Sequence, residues 1–478
     1  MNRDLLKYFS GFLILVLTQS CYTQQTKLNE YSTFSDDVIS KQLHEFTYDS
    51  LTTYQKQIFD SVQYATFQYF WEGAEPNSGM ARERIHLDGN YPDNDYNIVT
   101  TGGSGFGIMA ILVGIERGWV TYDSALERMN TIISFLENCD RFHGVWPHWL
   151  NGETGKVKPF GKKDNGGDLV ESAFLLQGLL TWEMYLIEMN HISTRYRPLA
   201  ANLVDRIQKL WLDVDFKWYT NNQNVLYWHW SPDYHWDMNF PVKGYNECLI
   251  IYILGASHPS NAIDFNHYYY GWCDSGNIHR VGKNQKQAYH QLNLRHQGNL
   301  QNGGPLFWSH YSYLGLNPFS IKDNYINSNY GVESTNHILN CIEWCTRNPM
   351  NYKGYSDSSW GLTSSYSVRF YSGHAADSSR DIGVISPTAA LSSFPYTPEY
   401  SLKAMMNWYE NKPEIFLKYG FIDAFSDQEN WFKPWYLAID QGPIVCMMEN
   451  FRSGLLWKYF MKSDEVKKGL RKLHFVVE

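Results

Sequence analysis

The sequence predicts an all-α fold, an (α/α)6 barrel (toroid) with a small β-hairpin insertion. Three observations lead there. Apolar residues recur at helical spacing through most of the chain. Every second predicted helix follows a loop rich in Gly, Asp or aromatic residues, and its partner is more amphipathic, as an outer layer should be. No Pro/Ser-rich linker and no sharp change of composition divides residues 46–478, which therefore read as one domain.

The predicted helices lie near 51–70, 105–117, 122–139, 168–190, 196–212, 245–256, 260–270, 304–315, 330–348, 387–393, 398–411 and 443–462. They form six pairs, and a short polar tail helix follows. The loops ahead of the inner helices, at 101–104, 161–167, 228–244, 301–303, 373–386 and 431–442, would converge at one end and form a pocket there. Residues 216–230 are the exception, because they alternate about Asn221-Asn222 and read as a hairpin.

Bulk properties narrow the function. The 478 residues carry a formal charge of −9 with no basic block, which argues against a nucleic-acid partner. Aromatic residues make up 17%, including 18 Trp and 35 Tyr. Such rings pair an apolar face with a polar tip and suit stacking on sugars; filling a large core is their competing use. The 16 His form no HExxH or similar pattern, so neither a metal nor another cofactor is expected.

The N-terminus reads as a targeting segment. Arg3 and Lys7 precede an apolar stretch over 9–17 that is too short to span a bilayer and fits a secretory signal. Leu17-Thr18-Gln19-Ser20-Cys21 resembles a loose lipobox with Cys21 as the lipidated residue, and a cleaved, unlipidated signal is the alternative. Residues 1–21 are thus expected to be a lipoprotein-type signal peptide and 22–45 a polar tether. The expected product is an exported monomer, a periplasmic or outer-membrane lipoprotein of a Gram-negative bacterium, attached to the membrane only through that anchor. Cys139, Cys248, Cys273, Cys341, Cys345 and Cys446 show no CxxC spacing and read as buried free thiols.

Candidate chemistry gathers at three predicted helix starts. Glu247 is the single carboxylate at the first turn of an apolar helix, behind the ring-dense stretch 228–236 that includes Trp236. Desolvation there favours the protonated acid, although a helix-start carboxylate also has a purely structural use. Asp164, Asp168 and Glu171 cluster at another start, where Asp168 and Glu171 share a face; a capping box explains the same spacing. Asp440 precedes Pro443 at the last inner helix and is either a cap or a second pocket acid. Trp146, His148 and Trp149, in Val-Trp-Pro-His-Trp, are further candidate substrate contacts, with aromatic core filling as the competing reading. Glu449 and Arg452 read as an ion pair. Thr100-Thr101-Gly102-Gly103-Ser104-Gly105-Phe106-Gly107 fits no phosphate-loop or nucleophile-elbow pattern and reads as a tight turn with close helix packing.

Taken in order, TTGGSGFGIMAILVGIERGW at 100–119, GGDLVESAFLLQGLL at 166–180, GYNECLIIYILGAS at 244–257, GGPLFWSHYSYLGL at 303–316, SPTAALSSFPYTPEYS at 386–401 and IDQGPIVCMMENFRSGLLW at 439–457 resemble glycoside hydrolase family 144 and the wider bacterial glucoamylase-like group. The resemblance covers roughly residues 50–465. It implies an (α/α)6 barrel and hydrolysis of β-1,2-glucan with inversion, either endo-acting or releasing disaccharide from the non-reducing end. It implies Glu247 as general acid and Asp440 as general base, with Asp164, Asp168 and Glu171 in the pocket. Where the family has an Asp-Asn-Gly-Thr-Ile-like stretch, this chain has Arg380-Asp381-Ile382-Gly383-Val384-Ile385. An inverting enzyme of this kind needs a protonated acid and an ionised base with a water between them. Asp440, at a helix start, is expected to stay ionised. The alternatives are another glucan linkage or transglycosylation on the same scaffold, and a non-catalytic glycan-binding lipoprotein.

Overall fold

The computed structural model describes residues 46–91, 95–192, 197–279, 302–326 and 329–478. The signal, Cys21 and the tether fall outside these residues. Residues 46–478 cluster into one compact unit, mostly helical with several two- and three-residue strands.

The helices form where apolar spacing and caps agree. They are α1 (Thr53–Trp71), α2 (Thr101–Glu116), α3 (Tyr122–Asn138), α4 (Leu169–Ile192), α5 (Arg197–Leu212), α6 (Leu249–Ser257), α7 (Phe265–Tyr270), α8 (Tyr330–Arg347), α9 (Pro387–Leu391), α10 (Pro398–Asn411), α11 (Ala438–Ser453), α12 (Leu455–Phe460) and α13 (Asp464–Lys472). Thr52 and Gln55 cap α1 reciprocally, and Asn329 caps α8 through the Val332 amide. α6 is buried along its whole length, and α2 from Thr101 to Gly114. α3 instead buries one stripe: Ala125, Leu126, Met129, Ile132, Ile133 and Leu136.

α2 packs on both α4 and α11. The glycine-rich stretch opens α2 rather than forming a turn, and its smallness serves packing. A Cβ on Gly105 would meet the Phe174 carbonyl oxygen at 2.2 Å, and one on Gly178 would meet that of Gly105 at 2.3 Å. The two backbones therefore touch where α2 crosses α4.

Three expectations fail for local reasons. Residues 304–315 form 3-10 turns, Leu306–Ser309 and Tyr311–Tyr313, because their side chains bond outward to neighbouring elements. The predicted helix 443–462 is two helices, α11 and α12, separated by Gly454 in the left-handed region at φ +66°. Residues 216–230 contain the turn at Asn221 and Asn222, both at positive φ, but they do not form a hairpin ladder. Strand His229–Trp230 pairs with Gly167–Asp168 instead. The six cysteines named above are buried free thiols.

Candidate active site

Three short ladders place the pocket residues. Asp168 is opposite His229 where strand Gly167–Asp168 meets His229–Trp230. Thr100 is opposite Trp149 where Ile98–Thr100 meets Trp149–Asn151, which brings His148 to the start of α2. Arg84–His86 pairs antiparallel with Trp435–Leu437, and the Ala438 amide donates to the Glu83 carbonyl at 3.0 Å. Distant segments thus meet at the starts of α2, α4 and α11.

Asp168 is fully buried and met by donors on both oxygens. Its Oδ1 accepts the amides of Val170 at 3.0 Å and Glu171 at 2.9 Å, capping α4. Its Oδ2 accepts Trp228 Nε1 and pairs with His148 Nδ1, each at 3.0 Å. The cap and the pocket contact are therefore the same residue. Glu171 makes no return bond to the cap; its Oε2 accepts the Gly102 amide at 2.8 Å across the α2–α4 contact. Burial pushes the Glu171 carboxyl up to about 7, with His148 opposing and Asp168 adding to the shift. Burial alone would lower His148, but Glu171, Asp168 and Asp164 raise it to about 10, so it carries a positive charge near neutral pH.

Asp164 is buried, with Oδ1 3.1 Å from His229 Nε2. The ligand atoms of His148, Asp164 and Asp168 lie within 4.8 Å of one another, a spacing that could hold a cation. The Asp168 oxygens are already engaged by two amides, an indole and an imidazole, and a protonated His148 supplies the positive charge itself. The set fits an internally paired cluster better than an ion cage.

Glu247 sits in the turn ahead of α6, since the helix begins at Leu249 rather than 245. Ser312 fixes this turn from both sides: its hydroxyl donates to the Glu247 carbonyl and accepts the Ile250 amide at 3.1 Å. Burial pushes the Glu247 carboxyl up to about 7. Tyr311, next to Ser312 in the chain, donates to Asp440 Oδ1 at 3.4 Å and feels the charges of Asp440, Glu171 and Glu247. The irregular 311–312 backbone therefore ties both candidate catalytic acids together.

Asp440 lies in the first turn of α11, with Pro443 inside the helix rather than at its start. The expectation that it stays ionised because of the helix start is overturned. Burial and the adjacent Asp423 carboxyl hold Asp440 well above the usual carboxylate range, outweighing a favourable helix end. Asp423 is itself buried, is raised to about 6 by that burial, and accepts the Tyr366 amide at 2.7 Å. Glu83 completes the acidic surroundings, acting on Glu171, Asp423 and Asp440.

One aromatic expectation needs correction. Trp146 is fully buried, its indole donates to the Leu136 carbonyl at 3.2 Å, and Arg141 covers its ring; it supports the core and has no surface to offer a substrate. Trp236 packs against Trp218, Tyr219 and Tyr227, whereas Trp228 is the ring that reaches an acid. His148 is partly exposed and stacks on Phe160 at 4.3 Å. Glu449 pairs with Arg452 at 3.9 Å, as expected, and also with Arg117 at 3.4 Å.

A cavity of about 720 Å³ has the rings Tyr366, Phe370, Tyr371, Trp431 and Trp435 in its wall, and Tyr366 joins that wall to Asp423 through its amide. Tyr371 is near enough to feel Asp440, Asp423 and Glu83. Phe370, at the tip of the ladder Ser364–Ser365/Ser372–Gly373, is 68% exposed.

Residues 239–464 match the Glycoamylase family model, described as "Putative glucoamylase". A Chitinophaga pinensis endo-β-1,2-glucanase, solved with sophorotriose and glucose, is 58% identical with a TM-score of 0.84, over 89% of this chain and 99% of that one. The chain belongs to this glucoamylase-like family. A Bacteroides caccae structure carrying the same description as the family model is 53% identical with a TM-score of 0.84, over 89% of this chain and 100% of that one. A Parabacteroides distasonis exo-β-1,2-glucooligosaccharide sophorohydrolase acting at the non-reducing end is 41% identical over 453 residues. The match covers 89% of this chain but only 59% of that relative's length. The matches to these glucoamylase-like relatives each cover 89% of this chain.

Proposed function

We propose that this chain is an inverting glycoside hydrolase that cleaves β-1,2-linked glucan or β-1,2-glucooligosaccharides, built as an (α/α)6 toroid. The observation that carries the reaction is Glu247, a buried carboxyl still half protonated at about pH 7, in the pocket that also holds Asp440. An acid in that state can give its proton to a leaving glycosidic oxygen, while a second carboxyl takes one from the attacking water. Glu247 is the general acid and Asp440 the general base. Asp164, Asp168, Glu171 and the charged His148 bind and orient the sugar beside them. The rings of the neighbouring cavity offer faces for further glucosyl units.

The substrate class rests on the glucanase that is 58% identical and the sophorohydrolase that is 41% identical. The endo reading is favoured by the higher identity and by the open, ring-lined cavity. The architecture rests on the alternation of fully buried helices with helices that bury one face. We further propose export with lipidation at Cys21, from the N-terminal sequence pattern alone.

A product profile tests the activity. The purified chain would be incubated with linear β-1,2-glucan and with short β-1,2-glucooligosaccharides, with anomer detection. A spread of sizes released first as the α-anomer is expected. Sophorose alone, mainly from oligosaccharides, would mean exo action, and β-anomers would refute inversion. Cleavage of another glucan with none of these would refute the substrate assignment. Palmitate labelling lost on Cys21→Ser would test the anchor.

A further inference from the structure

We propose that Asp423 and Asp440 act as one unit holding a single proton between them, with Asp423 as the positioning residue of the base. This rests on the hydrolase reading for its catalytic consequence but not for the proton itself.

Both carboxyls are buried, at 3% and 1% exposure, and lie within hydrogen-bond reach of each other. Each has one oxygen anchored elsewhere: Asp423 Oδ2 by the Tyr366 amide at 2.7 Å, Asp440 Oδ1 by the Tyr311 hydroxyl at 3.4 Å. The remaining oxygens, Asp423 Oδ1 and Asp440 Oδ2, are both buried without a donor. Two acceptors left this way in a dry site repel unless a proton lies between them.

The groups facing the pair do not supply that positive charge. They are Glu83, Tyr311, Tyr371 and Tyr366, whose hydroxyl is 3.1 Å from His86 Nε2. Arg84, the nearest cation along the adjoining strand, is shared between Glu83 and Asp95, each at 3.8 Å. A proton is the remaining neutraliser. Shared, it leaves one negative charge spread over two carboxyl groups, the arrangement that lets buried paired acids keep a basic oxygen near neutral pH.

The pair can then serve hydrolysis without Asp440 standing alone as a buried anion. The water oxygen bonds to the anomeric carbon, and its proton passes to the unprotonated oxygen of the pair. The glycosidic bond breaks, its electron pair stays on the leaving oxygen, and that oxygen takes the Glu247 proton. The pair ends with two protons and Glu247 with none; one proton returns to Glu247 through solvent.

The test uses the chain with side-chain ¹³C-labelled aspartate, together with Asp423→Asn, Asp423→Ala and Asp440→Asn. In the unaltered protein the pair should titrate in two steps at least ~2 pH units apart, collapsing to one step in Asp423→Asn and in Asp440→Asn. In kinetics, Asp423→Asn, whose amide still donates, should keep kcat/KM at pH 6 within ~10-fold with the acid limb unmoved. Asp423→Ala should lose ~100-fold and move that limb up by about one pH unit. Equal losses in both Asp423 variants with a fixed limb would mean a structural role only. Independent titration of the two aspartates would overturn the proposal whatever the enzyme's substrate. The carboxyl titration needs no turnover, so it separates failure of the pair from failure of the glucan assignment.

Discussion

Asp168 and Asp440 both occupy the start of a buried helix, both are almost fully inaccessible, and their surroundings are opposite. Asp168 meets two amides, an indole and an imidazole. Asp440 has one long hydroxyl contact and a second carboxyl beside it. Helix position is the same in both, so it does not decide what a carboxylate does. The count and charge of the donors decide. A saturated acid is a fixed scaffold that, together with Glu171, keeps His148 charged and holds two neighbouring segments together. A starved acid keeps a proton in play, which is what a group that must exchange protons requires.

The largest effect should come from the acids whose protons move. Glu247→Gln and Asp440→Asn should each lower kcat by ~10³-fold or more while circular dichroism stays unchanged. Near-normal turnover in either variant would remove that residue's role and break the comparison on its catalytic side.

The scaffold side should fail differently. Asp168→Asn leaves His148 charged against an amide and removes a buried pairing. We expect a stability loss of about 3 kcal/mol, seen as an earlier denaturant midpoint, alongside reduced activity. A variant as stable as the parent would mean that the four donors do not need the charge.

pH sharpens the contrast: stability falls with rising pH through both groups, but Glu247 imposes a penalty and His148 loses a bonus, in different pH windows. The Glu247 carboxyl is raised from 4.5 to about 7, so the folded state disfavours its ionised form. Its penalty is absent below the unfolded value, grows as pH rises from 4.5 to 7, and is complete above. Glu247→Gln should therefore gain about 3 kcal/mol at pH 8 and nothing at pH 4. kcat/KM should also fall above about pH 7 as the acid loses its proton. His148 is raised from 6.5 to about 10, so its contribution is full below 6.5 and is lost as pH climbs through 10. Melting curves of Glu247→Gln and His148→Ala across pH 4 to 10 would test both signs. The smallest effect belongs to the exposed ring: Phe370→Ala should raise KM on long substrates by ~3-fold, with short oligosaccharides and stability unaffected. An equal change on short substrates would move the ring out of the distal cavity wall.

Much of this was legible in the chain, and the failures have local causes. Helices with strong periodicity, such as α5, α8 and α10, lie within a residue or two of expectation. The 304–315 segment does not, because Tyr311 and Ser312 spend their polar groups on Asp440 and on the turn at Glu247. Sequence deviates from regular structure where the pocket is assembled. Asp423 had a faint signal, a lone acid in the apolar run Phe421-Ile422-Asp423-Ala424-Phe425. Glu83 had none, since Arg82-Glu83-Arg84 looks like a solvated charge run. Trp146 was over-read because ring density marks a core as readily as a cleft.

The sequence by itself determined the helical body and the family and named Asp164, Asp168, Glu171, Glu247 and Asp440 as candidate acids, because these rest on local periodicity and on long ordered matches. Only the tertiary structure decided which acids share a wall and what each one meets there. Asp423 and Asp440 are 17 positions apart in the chain, Gly102 and Glu171 69 apart. A carboxylate's proton affinity depends on burial and on neighbours a few ångströms away, and those neighbours come from segments that only the fold brings together.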